Sequence, residues 1–166
     1  MSEIHTGRLV LRPVIHADLT ALHTLFTQPG VRRFIFDDEI LTTERTADLI
    51  RTSSELFDRE RFGLWIALRR EGRVPIGFGA FWYFRDPPEL ELLYAVGDDH
   101  LKQGYGREIA RAVIDYGFRV LRMPAIRAST DAAHADSQRL LESLQFTLER
   151  RAVVNGLDTV FYARQH

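Results

Sequence analysis

Apolar and charged residues alternate early in the chain. In Arg8 to Pro13 (RLVLRP), Leu9 and Leu11 share one face and Arg8, Val10 and Arg12 the other, a period of two that predicts a short strand. The period then becomes helical. Asp18 is followed by Leu19, Leu22 and Phe26, predicting a helix that closes near Pro29-Gly30. A second helix is predicted from Thr43, with Ala47, Ile50, Ser54 and Phe57 three and four residues apart. The stretch between them, GVRRFIFDDEIL, is expected to be a loop carrying exposed aromatics.

The middle of the chain returns to strand periodicity. FGLWIALRR and VPIGFGAFWYF flank Glu71-Gly72-Arg73 and predict an antiparallel hairpin; PELELLYAV follows the Pro87-Pro88 break as a third strand. Along that strand Glu89, Glu91, Leu93 and Ala95 fall on one face, and Leu90, Leu92, Tyr94 and Val96 on the other. The clearest helix runs from Gly104 to Leu121, where Ala110, Val113, Ile114, Gly117, Phe118 and Leu121 form an apolar stripe before Met123-Pro124. AIRAST predicts a strand and Ser137 to Leu144 a helix. Asn155-Gly156, between RRAVV and LDTVFYA, predicts a tight hairpin. Strand, long helix and strand over 89–97, 104–121 and 125–130 predict a right-handed crossover with two parallel strands. The expected class is α/β (α+β): a mixed, mostly antiparallel sheet of about seven strands with one parallel βαβ unit and about four helices, in a single domain over residues 1–166.

Composition narrows the chemistry. The 166 residues carry 22 Lys and Arg against 23 Asp and Glu, a net charge of −1, with six His and no Cys. Without Cys there is no disulfide, thiolate metal site or cysteine acyl-enzyme. The balanced charge removes the electrostatic case for nucleic acid, since Arg32-Arg33, Arg69-Arg70 and Arg150-Arg151 are isolated pairs rather than a basic stripe. The N-terminus lacks the apolar stretch of a secretory signal. The longest apolar run, Ile76 to Phe84, falls far short of the about 20 residues that span a bilayer, so no membrane association and a cytoplasmic location are expected. His16 and His23 are seven residues apart, too far to share a metal, and no metal site is expected.

The chemistry concentrates in GDDHLKQGYGREIARAVIDYGF. Gly104 and Gly106 stand where a loop feeds the long helix, whose first N–H groups are unpaired and lie at its positive end. Such a junction suits a phosphate or pyrophosphate, although glycines here also serve simply to start a helix. A Walker loop is excluded because the only Lys, Lys102, precedes both glycines. A dinucleotide fingerprint is excluded because its third glycine position is Ile109.

These residues resemble motif A of the GCN5-related N-acetyltransferases, Q/R-x-x-G-x-G/A, here Leu101, Lys102, Gln103, Gly104, Tyr105 and Gly106. Leu at the first position, and LKQGYGREIARAVIDYGF as a whole, are similar to the RimJ/RimL-like branch of ribosomal-protein N-terminal acetyltransferases. The resemblance extends through TGRLVLRPVIHADLTAL, the central hairpin, ELLYAV and DAAHADSQRLLESLQF, and more loosely through NGLDTVFYA.

The resemblance implies a GNAT-like fold, acetyl-CoA as donor, and direct acetyl transfer to a primary amine, with a protein N-terminal α-amine as acceptor. The same scaffold serves small amines such as polyamines, amino acids and antibiotics, and a non-catalytic acyl-CoA-binding module is the alternative outside catalysis. The implied donor contacts are residues Leu101 to Arg107 (Leu101, Lys102, Gln103, Gly104, Tyr105, Gly106, Arg107), the backbone N–H groups of Tyr94, Ala95 and Val96, His134 and Ser137. Glu91 matches the family strand's Glu and is implied as the base, with Glu89 on the same face; both could equally be solvated strand-end carboxylates. The Tyr that many relatives use as general acid is replaced by Leu141, which leaves Ser137 either as proton source or as a helix-start hydroxyl. His134 stands at the family's Asn position, and Gln145 replaces the Gly before Phe146. Phe34 and Phe36, with Asp37, Asp38 and Glu39, either line an acceptor groove or form a solvated loop. Oligomeric state cannot be read from the sequence.

Overall fold

In a computed structural model describing residues 3–166, the strands form one sheet, whose order among the described residues is β1-β2-β3-β4-β5-β6-β8-β7. The strands are β1 (Ile4–His5), β2 (Leu9–Pro13), β3 (Leu64–Arg69), β4 (Pro75–Phe84), β5 (Glu89–Val96), β6 (Ala125–Asp131), β7 (Thr147–Val154) and β8 (Leu157–Gln165). The helices are α1 (Leu19–Thr27), α2 (Pro29–Ile35), α3 (Thr43–Glu60), α4 (Tyr105–Arg119) and α5 (Ala135–Ser143). All neighbouring strands pair antiparallel except β5 and β6. The mixed sheet and the parallel β5-α4-β6 unit match the expectation; the strand beyond the expected seven is the two-residue β1, too short to show a period.

The predicted loop between the first two helices contains α2. Pro29 starts this helix rather than ending the one before it: Gln28 is extended and Pro occupies the first turn, where its missing N–H costs nothing. The aromatics there are not exposed. Phe36 packs edge-on against Phe26 with centroids 4.9 Å apart, and Phe34 stacks on His134.

Strand alternation divides the core between two faces. On one, Ile109, Ala110, Val113 and Ile114 of α4 pack on Leu11, Phe81, Leu92 and Ile126. On the other, Leu22 and Phe26 of α1 and Ile50 of α3 cover Ile66, Phe78 and Ala80. The helix lies so close to β4 that a Cβ on Gly79 would come within 2.8 Å of Val113 and 2.9 Å of Ile109, so the GFGA sequence sets the depth at which α4 sits. At the β7–β8 turn, Asn155 and Gly156 both take positive φ (50° and 79°), as a two-residue hairpin with this twist requires.

Candidate active site

The site begins where the parallel strands separate. Among the described residues β5 and β6 share one register pair, Glu91 with Arg127; beyond it, residues 92–96 and 128–130 line the two sides of a cavity of about 660 Å³. The β4–β5 ladder decides which amides face it. Gly97 N–H bonds to Ile76 C=O (2.8 Å), and the register continues with Phe78 opposite Ala95 and Gly79 opposite Tyr94. Amides alternate along a strand, so Ala95 N–H turns toward β4 while those of Tyr94 and Val96 turn toward the gap.

The start of α4 closes one end of the cavity. Gly104 caps the helix in the left-handed region (φ 81°), and the first bond back is Glu108 N–H to Gly104 C=O at 3.2 Å. The Tyr105, Gly106 and Arg107 amides therefore lie in the first turn with no helical carbonyl to bind. Arg8 holds this turn in place: its Nη1 donates to Gln103 C=O and its Nε to Glu108 Oε2, each at 2.8 Å, while its guanidinium lies 4.2 Å from the centre of the Tyr105 ring. Glu108 Oε1 also accepts from Thr6 Oγ1 (2.6 Å) and Arg8 N–H (2.8 Å). Burial pushes the Glu108 carboxyl up, but these hydrogen bonds outweigh it and leave the group below the usual carboxylate range.

Of the expected donor contacts, residues 94–96, 101, 102 and 104–107, with His134 and Ser137, line this one cavity. The Gln103 carbonyl is instead taken by Arg8, and its side chain reaches Asp99 C=O. His134 caps α5, its Nδ1 accepting from Ser137 N–H at 3.4 Å, while its ring stacks on Phe34 with centroids 3.7 Å apart. Burial pushes its pKa below the ordinary histidine value; Asp136 opposes the shift and Arg33 adds to it.

Two hydrogen-bonded pairs lie on opposite faces of β5. On the face shared with Leu93 and Ala95, Glu91 is only 3% exposed, is ion-paired with Arg85 Nη2, and accepts a 2.6 Å hydrogen bond from Ser129 Oγ. Ser129 lines the cavity, so the carboxylate meets it through that hydroxyl. Glu89 is occupied elsewhere, accepting from Arg85 Nε at 3.1 Å. On the opposite face, Tyr94 Oη and Ser137 Oγ are hydrogen-bonded at 3.0 Å, and burial pushes the phenol up to about 12, with the Ser137 hydrogen bond partly opposing.

Sequence reasoning had no role for Arg8, Ser129, the Tyr94 side chain, Val31 or Ile35; of the α2 wall it offered only Phe34, as one side of an acceptor groove. Ser129 was accessible in principle: it shares a strand face with Arg127, the residue opposite Glu91.

The acetyltransferase (GNAT) domain family matches residues 8–147. The chain is 26% identical over 147 residues to the uncharacterized N-acetyltransferase YoaA of Bacillus subtilis, covering 88% of this chain and 83% of that protein. In three dimensions it is similar to an acetyltransferase from Agrobacterium tumefaciens (TM-score 0.86, 21% identity, 100% of this chain and 95% of the other). It is also similar to RimL, a ribosomal L7/L12 α-N-protein acetyltransferase in complex with coenzyme A (TM-score 0.83, 17% identity, 99% and 98%). With the family matched across most of its length, the chain belongs to the GNAT acetyltransferases.

Proposed function

We propose that the protein transfers acetyl from acetyl-CoA directly to a primary amine, with a protein N-terminal α-amine as acceptor. The observation that carries this reading is the cavity itself, which joins a helix start with free amides to a carboxylate relay and a hydroxyl pair at one break in the sheet. The acceptor is suggested by the likeness to RimL and to a Salmonella typhimurium acetyltransferase described as modifying the N-terminal serine of L7/L12.

The residues present fit a CoA donor. Left-handed Gly104 and the opening amides of α4 form a cradle for a pyrophosphate, and a Cβ on Gly106 would already touch Leu140 and Val96 at 3.5 and 3.6 Å. When bound, acetyl-CoA supplies an activated acyl group and a thiolate leaving group. The Tyr94 and Val96 N–H groups, about 6.6 Å apart along the strand, divide the work in this reading: one polarises the thioester carbonyl and the other pairs with the pantetheine arm. The attacking nitrogen sheds its proton through Ser129 to Glu91, whose buried charge is compensated by Arg85. Ser137 supplies a proton to the departing sulfur. No residue of the chain carries the acyl group in this scheme.

Thiol release from acetyl-CoA, measured with peptides bearing N-terminal Ser or Ala, with spermidine and with free amino acids, tests the reading. Turnover on the peptides, reduced about 100-fold in Glu91→Gln, is expected. Preference for a small amine would reassign the acceptor. Ping-pong kinetics with an isolable acetyl-enzyme would overturn direct transfer, and binding without turnover would indicate an acyl-CoA-binding module.

A further inference from the structure

We infer that the Tyr94 side chain acts through Ser137 as the second link of a proton relay to the leaving sulfur. The inference rests on the acetyl-transfer reading above and deepens it. Family resemblance gives position 94 only a main-chain role, and the position where many relatives carry an acidic Tyr is Leu141, buried in the core. The fold places a different phenol beside the same serine. Tyr94 projects from the α4 face of β5 toward α5, its Oη 3.0 Å from Ser137 Oγ and 3.5 Å from the Ser137 carbonyl oxygen. Both residues line the cavity, and Ser137 is fixed from its other side by the His134 cap on its N–H.

A serine hydroxyl has one proton to give, and an isolated alkoxide in a half-buried site is costly. The 3.0 Å contact lowers that cost by passing the charge on to a phenol, a stronger acid than an alcohol even when buried. As the carbon–sulfur bond breaks and its electron pair stays on sulfur, the Ser137 O–H proton passes to sulfur while the Tyr94 O–H proton passes to Ser137. The attacking nitrogen loses its own proton to Glu91 through Ser129. Solvent then returns a proton to Tyr94 and accepts the one on Glu91, so the cycle consumes none. Burial keeps the phenol protonated throughout the neutral range, which is the state the relay requires.

The test combines a double-mutant cycle with equilibrium binding. Tyr94→Phe keeps the ring and removes the hydroxyl. It is expected to lower kcat about 10- to 100-fold, while the KM for acetyl-CoA and the calorimetric Kd for CoA stay within about twofold of wild type. Because the two hydroxyls act in series, Ser137→Ala combined with Tyr94→Phe should be little slower than Ser137→Ala alone. A fluorinated tyrosine at position 94 should restore most of the kcat lost in the Phe variant, which restored packing alone would not do. Wild-type kcat in Tyr94→Phe, fully multiplicative losses in the double variant, or a loss of CoA binding that matches the loss of rate would each overturn the inference. A wild-type protein that binds CoA and acetylates no amine overturns it together with the reading it rests on, whereas normal wild-type turnover with an unaffected Tyr94→Phe removes the relay alone.

Discussion

The ring of Phe34 on α2 stacks on the imidazole of His134 at the head of α5, centroids 3.7 Å apart and planes tilted by 31°. The contact ties two walls of the cavity that come from opposite ends of the sequence. Burial in this setting disfavours the imidazolium and lowers the pKa, with Asp136 opposing the shift and Arg33 adding to it. A histidine whose folded pKa is depressed contributes stability that is full above its unfolded value near 6.5 and is lost as pH falls through the folded value. Wild-type thermal stability should therefore decline as pH drops from about 7 toward 5, and His134→Asn, which keeps a capping oxygen, should flatten that decline. Thermal unfolding followed across this range checks the difference in slope.

Arg8, just ahead of β2, and Glu108 of α4 brace the loop that opens this helix across 100 residues of sequence. Arg8→Ala removes the brace on the Gln103 carbonyl and the cover over Tyr105. The KM for acetyl-CoA should rise roughly tenfold, with a smaller change in kcat, because geometry is lost at the anion cradle rather than at the reacting atoms. Initial-rate kinetics with acetyl-CoA varied at saturating amine decide the split.

Left-handed backbone at Gly104 and at Gly156 offers an internal comparison. Alanine at either position carries a strain of about 1–2 kcal/mol. A Cβ at Gly156 meets nothing within 4 Å, whereas one at Gly104, where the helix opens at the cavity, comes 3.3 Å from Arg8 Nη2, the far end of a flexible side chain. Both variants should lose similar stability, but only Gly104→Ala should weaken CoA binding, by about five- to tenfold by calorimetry. Equal affinities would remove Gly104 from the donor site.

Arg12 and Asp18 form a bidentate pair, both contacts 2.7 Å, with Asp18 7% exposed and also accepting from Ile15 N–H. Burial pushes Asp18 up, but the hydrogen bonds from Arg12 and Ile15 prevail and leave it below the usual value. A carboxylate with a lowered folded pKa contributes stability that is full above its unfolded value near 3.9 and is lost as pH falls through the folded value. Asp18→Asn should cost about 2–3 kcal/mol at pH 7 by leaving the guanidinium half-paired, with a narrower difference from wild type below about pH 4. Denaturant unfolding at the two pH values measures it.

Elements whose signal is local were legible in the sequence. The stripe from Ala110 to Phe118 announced α4, Gly104 announced where that helix begins, and Asn155-Gly156 announced the last turn. Helix α2 was missed because seven residues make two turns and Pro29 ends helices as readily as it begins them. The pairings that complete the site, Arg8 with Glu108, Ser129 with Glu91 and Tyr94 with Ser137, join residues 38 to 100 positions apart, and no periodicity reports such distances. Even the burial of Glu91 follows from the parallel register with β6, which depends on where the crossover helix returns the chain.

That register has a mechanical meaning. Strands β1 to β5 form one half-sheet and β6, β8 and β7 another; among the described residues their ladder is the one pair of Glu91 with Arg127, supported by the Ser129–Glu91 hydrogen bond and by α4 packed across both. The protein therefore has a seam through its middle, with rigid antiparallel panels on either side. The line along which the sheet is least tied together is also the line along which its cavity opens.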